Sequence, residues 1–224
     1  MKRALDIFAA LAILILTLPI LLVVVIGLKL SSPGPVFYKA DRVGKGGELF
    51  KMLKFRSMHV SNSGSVITSK NDSRIFPFGK LLRKLKLDEM PQFLNVLKGD
   101  MSLVGPRPED PKIVDTAYTD WMMETLRIAP GITSPGAVFY YIKGEQLVSD
   151  EDPEGSYIRD LLPPKLAIER AYVERANFFS DIQIMFYTAW AIIGQALGFG
   201  VTPPHRDMAA AEAWVEKSTF EHMA

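Results

Sequence analysis

Apolar residues near the start of the chain follow no period at all. From Ile7 to Leu28 there are 22 residues without a charge, nearly all Ala, Leu, Ile, Val or Phe. As a straight helix this run would rise about 33 Å, enough to cross a hydrocarbon core. A cleaved signal peptide fits poorly: the run is long, and Lys29-Leu30-Ser31-Ser32-Pro33 is not a small-residue cleavage site. A buried core helix would show a polar face, and this run has none. Membrane insertion is the expectation. Pro19 divides the run into 12 apolar residues before it and 9 after. A proline inside a helix removes one hydrogen bond and clashes with the carbonyl four residues earlier, so a kink is expected there. Lys2 and Arg3 precede the run, and Lys29 and Lys39 follow it. The positive-inside rule then places both ends on the cytoplasmic face. The pattern favours a re-entrant helix that enters, bends near Pro19 and leaves on the same side, with a tilted spanning helix as the alternative. Arg3 and Asp6, three residues apart, are spaced to pair at the interface.

The pattern changes after Pro33-Gly34-Pro35. Two short extended runs, Val36–Asp41 and Leu49–Met58, joined by Gly44-Lys45-Gly46-Gly47, read as a β-hairpin. Ser61–Ser73 is rich in Gly, Ser and Asn and reads as a mobile loop. Helical spacing returns over Phe78–Leu87, with Lys80, Arg83, Lys84 and Lys86 between the apolar positions. Pro91–Leu97 reads as another helix, with Pro91 in its first turn and Gly99 just past its end. Pro163–Phe179 and Asp181–Leu197 also read as helices. The second is apolar enough for the core, for an in-plane interfacial helix or for a second span. Residues 143–164 read as an acidic, proline-containing insertion, and a short Ala-rich helix is expected from Asp207 onward. The fold class is α+β, mostly helical.

Composition narrows the chemistry. There is no cysteine, which excludes disulfides, a thiolate nucleophile and Cys-based metal sites. The three histidines, His59, His205 and His222, match no zinc spacing. A net charge of +1 hides a segregation: residues 29–86 hold 13 Lys/Arg against 3 Asp/Glu, and residues 87–160 hold 6 against 14. A basic block favours phosphates, whether in nucleic acid, an anionic membrane surface or small substrates, and composition does not choose among them.

The densest chemistry lies at Leu87-Asp88-Glu89-Met90-Pro91 and at Gly99 through Pro108. A carboxylate at a helix start is commonly a cap. Beside Arg83 and Lys84, however, it is expected to stay ionised, and it can then bind Mg²⁺ or attack phosphorus. Arg107 sits between Pro106 and Pro108, which restrict the loop and can aim the guanidinium at a phosphate. Lys51, Lys54 and Arg56 on the second hairpin arm read as solvated strand positions. No Walker-type loop, Gly-x-Gly-x-x-Gly or His-Glu-x-x-His is present. Phosphate handling would rest on Arg, Lys and a metal.

These residues carry a resemblance. "SSPGPVFYKADRVG", "FKMLKFRSM", "LRKLKLDEMPQFLNVLKGDMSLVGPRPE" and "APGIT", taken in this order, resemble the bacterial sugar transferase family, the monotopic phosphoglycosyl transferases, from about Lys2 to about Leu197. The resemblance implies a re-entrant anchor over 1–30, a helical catalytic domain with interfacial amphipathic helices over 31–200, and a tail over 201–224. It implies transfer of a sugar 1-phosphate from a UDP-sugar to polyprenyl (undecaprenyl) phosphate at the cytoplasmic face of the bacterial inner membrane. That is the first membrane step in building a glycan such as an exopolysaccharide, O-antigen, capsule or glycoprotein. Asp88 would be the nucleophile, releasing UMP, and would hold Mg²⁺. Glu89 would position or deprotonate the acceptor. Arg83 and Arg107 would bind phosphate oxygens, with Lys54 and Arg56 as further phosphate contacts. Membrane lipid is an expected partner and nucleic acid is not; whether downstream glycosyltransferases bind the tail stays open.

Three positions depart from the family pattern: Leu18 before Pro19 where serine is usual, Ala40 where glutamine is common, and Ser134-Pro135-Gly136-Ala137 after "PGIT". Thr17 is a possible substitute for the missing serine hydroxyl. The chain resembles the small form of the family, without added spans. Two other readings remain at this point: a non-catalytic membrane-anchored module that binds anionic lipid or nucleic acid, and a metal-dependent phosphohydrolase using the same carboxylates.

Overall fold

The computed structural model describes residues 2–60, 72–144, 148–149, 151–202 and 205–215. The fold is α+β and mostly helical. Helix α1 runs from Lys2 to Ser31, unbroken across Pro19, and buries only Asp6, Ala10, Val24 and Leu28. Between Ala10 and Val24 it exposes Leu11, Ile15, Leu16, Leu18, Ile20, Leu22 and Val23. This is the one helix among the described residues long and apolar enough to cross a membrane. The Thr17 hydroxyl donates to the Ile13 carbonyl at 2.6 Å. The carbonyl that Pro19 deprives of its donor is that of Ile15, so Thr17 does not take the place of a serine there.

Both ends of α1 are fastened to the rest of the chain. Arg3 donates to the carbonyls of Val96 (2.6 Å) and Leu97 (3.0 Å). Asp6 accepts from the Ser102 hydroxyl (2.9 Å) and the Leu103 amide (3.0 Å). The expected Arg3–Asp6 pair is therefore absent, because each side chain finds long-range partners that would otherwise be left unsatisfied. Lys2 donates to the Val104 carbonyl and to Asp181. At the far end Val24 and Leu28 pack with Phe55, Phe76 and Leu82.

Strands β1 (Phe37–Val43) and β2 (Leu49–Phe55) form the antiparallel hairpin, with Phe37 opposite Phe55 and Ala40 opposite Met52. The turn between them uses Gly46 and Gly47 at positive φ. β2 ends three residues before the expected Met58, where Arg56 leaves the strand to bind the end of α1. Most of the expected Ser61–Ser73 loop, residues 61–71, lies outside the described residues.

Helix α2 (Pro77–Lys84) leads through a 3₁₀ turn at Leu87–Glu89 into α3 (Gln92–Lys98), which Gly99 closes at φ 102°. Strand β3 (Ser102–Val104) pairs in parallel with β4 (Gly131–Thr133). Between them lie α4 (Pro111–Ala117), capped by Asp110, and α5 (Asp120–Met123). A Cβ on Gly131 would fall 2.1 Å from the Gly105 nitrogen, so the two loops cross only because both carry glycine there. Helix α6 (Pro135–Phe139) and α7 (Pro153–Ser156) each continue into a π-helical turn, Tyr140–Gly144 and Tyr157–Leu161. The end of the expected acidic insertion is thus helical.

Helix α8 (Leu162–Arg175), largely buried, is followed by α9 (Phe178–Leu197) and α10 (His205–Ala211). The expected helix Pro163–Phe179 is interrupted at Ala176–Asn177. There Asn177, in extended geometry, accepts from the Phe179 and Ser180 amides while Ser180 returns the bond, so Phe178 and Phe179 open α9. Phe179, Phe186, Trp190 and Leu197 lie exposed along α9, whereas Asp181, Ile184 and Ala191 face inward. α8 supplies Leu162, Leu166 and Ile168 to one core cluster and Tyr172 to the cluster that holds Ala10, Met52 and Val96.

Candidate active site

Four elements converge on Asp88 and Glu89. β2 brings Lys54, α2 brings Arg83, the 3₁₀ turn carries the two carboxylates, and the loop after β3 brings Arg107. Asn95 fixes the relation of β2 to α3. Its side chain accepts from the Leu53 amide (2.9 Å) and donates to the Lys51 carbonyl (2.8 Å) and Asp100 (3.0 Å). Lys86, just before the carboxylates, is the one non-glycine residue with positive φ among the described residues (φ 55°). That left-handed turn lets the chain reverse between α2 and the 3₁₀ turn, and such outliers collect at functional sites. The Lys86 ammonium lies 4.4 Å from the centre of the Tyr141 ring.

The neighbouring carboxylates differ. Glu89 accepts both terminal guanidinium nitrogens of Arg107, one at 3.3 Å and one closer, and the Lys54 ammonium at 3.3 Å. Burial alone would raise its carboxyl, but Arg107, Lys54 and Lys86 outweigh burial and hold it well below the usual range. Arg107 is in turn held charged by Glu89. Lys54 is pulled below its ordinary value, mainly by burial, with Glu89 opposing. Asp88 is 5% exposed and, among the described residues, has no hydrogen-bond or salt-bridge partner. Burial first and the Glu89 charge second push its carboxyl up, against the pull of Lys54, Arg83 and Lys86. At this depth desolvation outweighs the neighbouring cations.

Of the expected site residues, the structure brings Asp88, Glu89, Lys54 and Arg107 together and keeps Arg83 within electrostatic reach. Arg56 is elsewhere. Its guanidinium donates to the Ser32 hydroxyl (2.9 Å), the Ser32 carbonyl (2.8 Å) and the Pro35 carbonyl (2.7 Å), and lies over the Phe76 ring. Expected at a phosphate, it instead clamps the exit of α1. Sequence reasoning missed the support beneath the Arg107 loop: Lys165 binds Glu109 (2.8 Å) and Tyr157 (2.7 Å), and Glu169 reaches the Arg107 amide (3.2 Å). The i,i+4 spacing of Lys165 and Glu169 was visible, but it reads equally as a solvated helix face.

A cluster of three or more His, Asp or Glu side chains suited to a metal is absent among the described residues. Mg²⁺ commonly takes only one or two carboxylates and completes its shell with phosphate oxygens and water. The unpartnered Asp88 carboxylate fits that minimal role. Chemically, the site offers a carboxylate free to attack phosphorus, ringed by cations that can carry phosphate charge.

Comparison with known proteins places the chain in a family. The profile of the family described as bacterial sugar transferase matches residues 1–195. The UDP-N-acetylgalactosamine-undecaprenyl-phosphate N-acetylgalactosaminephosphotransferase of Aeromonas hydrophila is 36% identical over 205 residues, 89% of this chain and 44% of that protein. The UDP-glucose:undecaprenyl-phosphate glucose-1-phosphate transferase of Xanthomonas campestris pv. campestris is 37% identical over 187 residues, 81% of this chain and 36% of that protein. The chain thus spans less than half the length of these two relatives. The exopolysaccharide production protein ExoY of Rhizobium meliloti (strain 1021) is 32% identical over 212 residues, 85% of this chain and 84% of that protein. With the whole Asp88–Arg107 site inside the matched residues, the chain belongs to the bacterial sugar transferase family.

Proposed function

We propose that the chain transfers a sugar 1-phosphate from a UDP-sugar to undecaprenyl phosphate at the cytoplasmic face of the inner membrane, opening the assembly of a membrane-linked glycan. The observation that carries this reading is the asymmetry of the carboxylates: Asp88 is buried and, among the described residues, unpartnered, while Glu89 is held by Arg107 and Lys54. In the first step an Asp88 oxygen bonds to the sugar-bearing phosphorus, the phosphoanhydride bond breaks, and UMP leaves with the electron pair. In the second, an oxygen of the lipid phosphate attacks the same phosphorus, freeing the Asp88 carboxylate and leaving the sugar on a lipid diphosphate. Glu89, held ionised, is a poor proton acceptor. Its role is to fix Arg107 and Lys54 where phosphate oxygens arrive, and Arg83 adds positive charge. Mg²⁺, held through Asp88, would neutralise diphosphate charge.

The fastening of α1 supports a re-entrant anchor. Ala10 shares a buried cluster with Met52, and Val24 shares one with Phe55, three positions along the same strand. The apolar segment between those contacts is short, and both of its ends return to one body of the protein. Two helical arms of about seven residues would each rise roughly 10 Å, the depth of one leaflet rather than two.

The test is UMP release by the purified chain in lipid discs, with Mg²⁺, undecaprenyl phosphate and UDP-sugars supplied one at a time. Release is expected to need lipid phosphate and to vanish in a folded Asp88→Asn variant. Sustained turnover without the lipid would replace transfer by hydrolysis. Silence over a broad donor panel from folded protein would favour a binding module.

A further inference from the structure

The mechanism above uses Arg107 but does not explain what holds its loop still. Pro106 and Pro108 have no amide hydrogen, so the Arg107 N–H is the single backbone donor of that tripeptide. Glu169 takes it. Its side chain is fully buried on α8, and one carboxyl oxygen accepts the Arg107 amide at 3.2 Å and the Ser134 hydroxyl at 2.6 Å. The Ser134 oxygen itself accepts from the Ala137 amide at 2.9 Å, starting α6. Room for the carboxyl exists because residue 136 is glycine: a Cβ there would lie 2.7 Å from the Glu169 Cγ and Cδ. One turn earlier on α8, Lys165 holds Glu109, two residues past Arg107. The loop is thus tied to one helix at Arg107 and Glu109, while the Arg107 guanidinium faces Glu89 on the other side.

We propose that Glu169 is a positioning residue of the transfer site: by bridging the Ser134 hydroxyl and the Arg107 amide, it sets the backbone from which the Arg107 guanidinium reaches Glu89 and the substrate phosphate. The inference rests on the reading that Arg107 and Glu89 belong to that site. Among the described residues the second Glu169 oxygen, which is buried, has no hydrogen-bond partner, and burial pushes the carboxyl up to about 7. The neutral form therefore suits the pocket, and glutamine reproduces its shape and its accepting oxygen.

The experiment uses the full chain in lipid discs and four variants: Glu169→Met, Glu169→Gln, Gly136→Ala and Arg107→Ala. The first readout needs no substrate. Hydrogen exchange at the Arg107 amide, set apart by two flanking residues that carry none, is expected to quicken roughly tenfold in Glu169→Met and Gly136→Ala while α8 and α9 stay protected, and to remain slow in Glu169→Gln. The second is UMP release with whichever UDP-sugar the unmodified chain accepts. Glu169→Met is expected to lose roughly 10- to 100-fold in kcat with little change in KM. Glu169→Gln should recover most of that loss, and Glu169→Met should cost nothing further when Arg107→Ala is already present. Unchanged exchange at Arg107 overturns the proposal whether or not any donor is turned over. Losses that add in the double variant also overturn it, because they would mean Glu169 acts through general stability. An unmodified chain that releases no UMP counts against the proposed function, while the exchange result still decides the role of Glu169.

Discussion

Adjacent carboxylates in opposite circumstances are the feature that matters most at the scale of single residues. Glu89 is locked by two cations, and removing it would strand both of them in a poorly hydrated site. Glu89→Gln is therefore expected to loosen Arg107 and Lys54 together, costing about 3 kcal/mol or more of stability by urea titration as well as activity. Glu169 gives a pH signature. Its carboxyl sits at about 7 in the folded chain against an ordinary value of 4.5. Between those values the folded chain keeps a proton that the unfolded chain has lost, so this group's contribution falls as pH rises through the window. The difference is on the order of 3 kcal/mol. Melting temperatures of the unmodified chain and Glu169→Gln, compared from pH 5 to 8, should diverge in favour of the variant toward the alkaline end. Parallel curves would show that Glu169 does not titrate there.

Among the elements, the junction of β2 with α3 depends on one side chain. Asn95 is fully buried and meets three backbone or carboxylate partners. Asn95→Leu keeps the volume but leaves the Leu53 amide and the Lys51 carbonyl facing an apolar group. The expected loss is about 2–3 kcal/mol by urea titration, with Lys54 activity declining alongside. Arg56→Lys tests the clamp on α1. Lysine cannot reproduce the three-way donation to Ser32 and Pro35, so the melting temperature should drop while KM for the donor stays constant. Elements of this kind were unevenly legible beforehand. The apolar run, the hairpin and the helix that Gly99 ends could be read from spacing, because each depends on neighbours in the chain, and the grouping of Asp88, Glu89, Lys54 and Arg107 came from the family resemblance. Arg56 was misplaced because an arginine next to Lys54 on a strand looks the same whether its guanidinium meets phosphate or backbone carbonyls. The Arg3–Asp6 pair failed for a related reason: local spacing suggested it, and partners at residues 96–103 won. The i,i+4 spacing of Lys165 and Glu169 was ambiguous, since their meaning comes from a loop some sixty residues earlier.

For the molecule as a whole, the question is how an apolar helix and a polar site share one surface. The uncovered stretch of α1 and the exposed Phe179, Phe186, Trp190 and Leu197 of α9 are the surfaces available to lipid. The sequence has no cysteine, so single reporters are clean. Ala4→Cys and Ser31→Cys, placed near the two exposed ends of α1, should react from the same side of a sealed vesicle with an impermeant maleimide. Reaction from opposite sides would establish a spanning helix instead. The fastening of α1 also bears on the order in which the protein can be built. Its first turn is secured by residues 96–104 and by Asp181, all synthesised long after the apolar run has left the ribosome. Residues 96–104 and β4 come in the middle of the chain, so Arg3 and Asp6 find their partners first, whereas Lys2 lacks its carboxylate partner until Asp181 is made. The start of α1 is thus tied down in two stages, by the middle of the chain and then by its last third.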